Sequence, residues 1–87
     1  MVPRISEFYG IAIYMYFNDH NPPHFHAIYG GNEAQVEIAS GDLIGGALPR
    51  TAEKLVLKWL EIHRSELENN WRRAAKPEPL ESIAPLR

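Results

Sequence analysis

Between residues 11 and 17 the side chains alternate. Ile11, Ile13, Met15 and Phe17 fall on one side of an extended chain, and Ala12, Tyr14 and Tyr16 on the other. That two-residue period predicts a strand. The following Asn18-Asp19-His20-Asn21-Pro22-Pro23 joins Asx residues to two prolines that cannot donate to a ladder, which predicts a loop. Residues 24–29 read as a second strand, and Gly30-Gly31-Asn32 supplies the positive φ for a tight reversal into a third over 33–39. Ser40-Gly41-Asp42 turns again, leaving Leu43-Ile44 as a short fourth strand that Gly45-Gly46 ends.

From Thr51 the period lengthens. Ala52, Leu55, Val56, Trp59, Leu60, Leu67, Trp71 and Ala74 lie on one stripe at helical spacing, with Thr51 as N-cap and Pro77 as the stop. An unbroken helix of about 25 residues would be ~37 Å long, more than the ~30 Å width of so short a chain, so a bend or break is expected. Ser65-Glu66-Leu67-Glu68 has the form of a capping box, yet the stripe crosses it in phase, which favours one helix over 50–76. The tail over 77–87 carries three prolines, with Leu80, Ile83 and Leu86 three residues apart, as in an extended segment laid on an apolar surface of its own chain or of a partner. The predicted fold is α+β: a three- to four-stranded antiparallel meander (1–49) packed on one long C-terminal helix (50–76) with an extended tail (77–87), together a single domain over 1–87.

Composition narrows this picture. The 87 residues are 45% hydrophobic and 23% charged, the balance of an ordinary soluble domain, and the absence of Cys excludes disulfides, iron–sulfur clusters and thiolate zinc sites. Any metal must be held by His, Asp or Glu. A net charge of −2 gives no basic field for non-specific nucleic-acid binding. The charge is split, however: residues 1–49 hold only Arg4 against five acidic groups, while residues 50–87 hold eight basic and six acidic. The ten-residue run over 8–17, apolar except for Gly10, is too short to span a bilayer and follows Glu7 rather than a basic stretch, so no membrane association is expected and the expected location is cytoplasmic.

Pairing the strands as a meander sorts the side chains by face. Ile11, Ile13, Met15, Phe17, Phe25, Ala27, Ala34, Val36 and Ile38 form the core face under the helix. Tyr14, Tyr16, His24, His26, Glu33, Gln35 and Glu37 form a wet opposite face, and any site belongs there. His24 and His26, two apart on a strand, point the same way, and His20 on the loop completes a three-imidazole set. With Asp19, Glu33 or Glu37 as carboxylate, this spacing fits a zinc-like divalent metal. Three readings stay open. The first is a protein-interaction or regulatory module using this face or the tail. The second is a metal-free ribonuclease-like enzyme, with His24 and His26 as acid and base, Tyr16 orienting and Arg50 meeting phosphate charge. The third is a divalent-metal protein using His20, His24 and His26 with Asp19 or Glu37. His63 lies in the apolar stripe and reads as a satisfied core histidine, and Trp71 with Arg72, Arg73 and Lys76 as a solvated helix end. A sheet face uncovered by the helix also leaves homodimerisation open.

Several stretches together resemble one family: Phe8-Tyr9-Gly10-Ile11, the run from Met15 to His26 with Asp19-His20-Asn21-Pro22-Pro23-His24-Phe25-His26 at its centre, Tyr29-Gly30, Gly46-Ala47-Leu48-Pro49-Arg50, and Trp59 to Trp71. The chain is similar over almost its whole length to the bacterial domain-of-unknown-function 4160 family (DUF4160). The resemblance implies a small stand-alone bacterial protein, often encoded beside a short protein of the domain-of-unknown-function 2442 family in a toxin–antitoxin-like pair. That raises the expectation of a small protein partner and assigns no catalytic role to any residue.

Overall fold

In the computed structural model, residues 4–87 are described, so residues 1–3 of the expected domain lie outside the described residues. Five strands, β1 (Arg4–Phe8), β2 (Ile11–Tyr14), β3 (His24–Tyr29), β4 (Asn32–Glu37) and β5 (Leu43–Gly46), pair in chain order as one antiparallel sheet, followed by a single helix, α1 (Arg50–Ala75). The α+β meander with its C-terminal helix is present, with one strand more than expected. The additional strand is β1, hidden in the sequence because its turn has none of the usual turn residues except Gly10. Tyr9 and Gly10 both take positive φ (51° and 78°), as a two-residue hairpin turn of the right twist requires, and Phe8 pairs with Ile11.

Three boundaries differ from expectation, each for a local reason. β2 stops at Tyr14 rather than 17, because the chain leaves the sheet toward Asn18, whose N–H donates to the Ala74 carbonyl at 3.2 Å. Phe17, expected in the core, is consequently 39% exposed. Gly45 and Gly46 do not end β5 but form its second half, opposite Gln35 and Ala34. At Gly46 (φ 70°) a Cβ would lie 2.0 Å from the Glu33 carbonyl oxygen, so the strands can approach there only without a side chain. The helix starts at Arg50 after Pro49, leaving Thr51 within its first turn rather than capping it.

The core lies between the sheet and α1. Trp59 is fully buried, its ring centroid 5.3 Å from that of Phe8 and 5.6 Å from that of Phe25, and Ile11, Ile13, Val36 and Leu67 are fully buried in the same core. The expected bend occurs at His63, whose φ/ψ of −115°/21° interrupts the helix just before Ser65. His63 is half-buried rather than in the core. It is satisfied through Nδ1 and the Glu66 carboxylate (2.6 Å), with its ring 5.7 Å from that of Trp59. Beyond the bend, Arg64 Nε donates to the Ile38 carbonyl (3.0 Å), and the tail runs back along the helix with Ile83 and Leu86 buried. No helix among the described residues is long and apolar enough to cross a membrane.

Candidate metal centre

The register puts Tyr14 opposite His26, His26 opposite Gln35, and His24 opposite Glu37, so both imidazoles stand on the sheet face that carries Gln35 and Glu37. They are not in a wet patch, however. His24 is 4% and His26 5% exposed, because the loop between β2 and β3 folds back over them. Tyr16 meets His26 edge-on (centroids 4.3 Å apart), and the Trp71 ring of α1 lies 5.4 Å from that of His24.

A single oxygen organises the cluster. Asp19 Oδ2 lies 3.0 Å from His24 Nε2 and 3.1 Å from His26 Nε2, and the three atoms fall within 4.8 Å of one another. The far nitrogens are anchored: His24 Nδ1 lies 2.7 Å from the Pro22 carbonyl and His26 Nδ1 3.0 Å from Glu33 Oε2. A carbonyl only accepts, so His24 Nδ1 carries the proton and donates it to Pro22. Neutral His24 then turns the lone pair of Nε2 toward a carboxylate oxygen. The same holds for His26 whenever Nδ1–H donates to Glu33. Two lone pairs facing an anion call for a cation between them, either added protons or a metal ion.

The electrostatics keep Asp19 anionic. Burial opposes its ionisation, but when the two rings carry the added protons the His26 Nε2–H donating to Asp19, the His20 N–H donating to Oδ1 (2.8 Å) and the positive charge of His24 and His26 outweigh it, holding the carboxyl below its ordinary value. Burial first, then the charge of Glu33, the Tyr14 phenol and the charge of Asp19, push the Tyr16 phenol up, so it remains a neutral donor. Beside Asp19 a cavity of about 250 Å³ opens, lined by Tyr16, Asn18, Trp71, Ala74 and Ala75.

The structure gathers only part of the residue set expected from sequence. Asp19, His24, His26 and Tyr16 come together. His20 is exposed and outside the cluster, contributing only its backbone N–H, because the loop spends its turn on placing Asp19. Glu37, although opposite His24, accepts from Ser40 Oγ (2.6 Å) and is not among the converging atoms. Arg50 opens α1 while Trp71 lies in its last turns, so about 30 Å of helix separates Arg50 from the site. Trp71, expected at a solvated helix end, instead walls the site, and its phase with Leu67 and Ala74 was the signal for that. The Pro22 carbonyl leaves no trace in a side-chain pattern.

Fold and site together define a small sheet-and-helix protein with two histidines and one carboxylate converging under a loop. Residues 10–72 match the family described as a domain of unknown function (DUF4160), and the chain belongs to that family. No curated protein and no solved structure matches it.

Proposed function

We propose that the protein binds a divalent transition-metal ion through His24 Nε2, His26 Nε2 and Asp19 Oδ2, with positions left open for water or a substrate oxygen. The carrying observation is the shared Asp19 oxygen between two Nε2 atoms whose partner Nδ1 atoms are already engaged. Histidines that bind metal through one nitrogen donate the other to a carbonyl or carboxylate, which is the arrangement of Pro22 and Glu33. With metal–ligand bonds of about 2.1 Å, ligand atoms at right angles stand about 3.0 Å apart, so the two spacings at Asp19 support cis positions around one ion. Two imidazoles and one carboxylate with open positions form the set used for metal-assisted chemistry rather than a closed structural site. The adjoining cavity gives a substrate access.

Titration of untagged, metal-stripped protein with Zn²⁺, Mn²⁺ or Ni²⁺ tests this: one equivalent is expected to bind at micromolar Kd or tighter, and absence of stoichiometric uptake of all three refutes it. The wider reading, a regulatory module with a small protein partner in a toxin–antitoxin-like pair, is supported by the family resemblance alone. It is separable, since a partner still retained by the His24→Ala/His26→Ala double variant binds elsewhere.

A further inference from the structure

The tail is held by its main chain. Asn70, 1% exposed, reads residue 81 as a neighbouring strand would: its Nδ2 donates to the Glu81 carbonyl (2.9 Å) and its Oδ1 accepts from the Glu81 N–H (2.9 Å). The buried Trp59 indole N–H donates to the Ala84 carbonyl (2.9 Å), the Ile83 N–H to the Ile5 carbonyl (2.8 Å) on the outer edge of β1, and Arg73 Nη1 to the Pro79 carbonyl (3.2 Å). Ile83 and Leu86 add buried apolar anchors. The groove between β1 and α1 thus presents buried donors and acceptors that demand an extended backbone, the mode by which peptide-binding domains read a main chain. Without it, the Asn70 amide and the Trp59 indole N–H would lose these main-chain partners.

The helix that forms one wall of this groove is also a wall of the metal site. Beyond the His63 bend, Asn70 and Arg73 face the tail, while Trp71 and Ala74 line the cavity beside Asp19, and the Ala74 carbonyl holds the Asn18 N–H of the ligand-bearing loop. We infer that the groove is a recognition site for an extended peptide with apolar residues three apart, filled in cis by residues 79–86, and that its filling clamps the distal half of α1 against the Asp19/His24/His26 site. Emptying the groove frees that half about the bend and loosens the site. The inference rests on the metal reading for its functional consequence but not for its structural part.

The test uses the full chain with two variants. Ile83→Glu unseats a buried anchor, and Glu81→Pro deletes the N–H that Asn70 accepts while leaving every buried side chain in place. In the parent, the Glu81 and Ile83 amides exchange slowly with deuterium. The residue-83 amide in both variants, and the residue-81 amide in Ile83→Glu, are expected to exchange rapidly, with protection across 64–75 reduced and Zn²⁺ affinity about 5- to 20-fold weaker, within the range of ordinary site-to-site coupling. A synthetic peptide of residues 78–87, added to the Glu81→Pro variant, is expected to restore both. Freely exchanging tail amides in the parent overturn the docking, and unchanged protection of 64–75 with unchanged Zn²⁺ affinity in both variants overturns the clamp. A parent that takes up no metal while 64–75 still loses protection in the variants strikes the metal reading and leaves the groove.

Discussion

Asp19 is the residue on which the site turns, since one oxygen serves two imidazoles and a backbone N–H fixes the other. Asp19→Asn keeps the shape and removes the charge; Zn²⁺ affinity measured calorimetrically is expected to fall at least about 100-fold, because a ligand itself is lost. Glu33→Gln acts one step further out, through His26 Nδ1, and is expected to cost about 10- to 100-fold. The lowered pKa of Asp19 also sets a pH dependence for the metal-free chain. A carboxyl with a folded pKa below its unfolded value of about 3.9 contributes stability that is complete above that pH and is lost as pH falls through the folded value. Urea midpoints of metal-free protein should therefore drop below about pH 4, and the gap to Asp19→Asn should narrow there. A gap that is constant from neutral to acid pH contradicts the carboxylate's role.

At the scale of elements, β4 and β5 place Glu33, and Gly46 is what lets them meet. Gly46→Ala would drive a Cβ into the Glu33 carbonyl at positive φ, so a loss of about 1–3 kcal/mol in chemical denaturation is expected, together with weaker metal binding. The pairing of His24 and His26 on one face was legible because a strand's period of two is rigid, and β3 keeps it from end to end. Their burial was not, because it depends on how a nine-residue loop of Asx and Pro folds back, and on an Asn18–Ala74 bond between residues far apart in sequence. β1 escaped for a related reason: Tyr9-Gly10 makes a hairpin turn through backbone conformation that its side chains do not advertise. The helix was legible in extent and in its need to bend. That the bend falls at His63 follows from packing on the sheet, which the stripe alone does not encode.

The whole molecule is a thin sheet stabilised on one face by α1 and the tail, with the Asp19/His24/His26 cluster where loop, sheet and helix end meet. Leu67, buried just beyond the bend, belongs to the half of α1 that carries Trp71, and Leu67→Ala is expected to cost about 2–5 kcal/mol. An ion bound only by the folded chain adds stability by mass action, about 2.7 kcal/mol at a hundredfold excess over Kd, so Zn²⁺ should raise the melting temperature of the parent and not of Asp19→Asn. The most direct measurement follows the imidazole nitrogens by long-range proton–nitrogen NMR on ¹⁵N-labelled protein during Zn²⁺ addition. With the metal held as proposed, His24 and His26 are expected to become Nδ1–H tautomers with Nε2 shifted by the metal, saturating at one equivalent, while His20 and His63 are unmoved. Two rings that remain doubly protonated in excess Zn²⁺, or a response centred on His20, would contradict it.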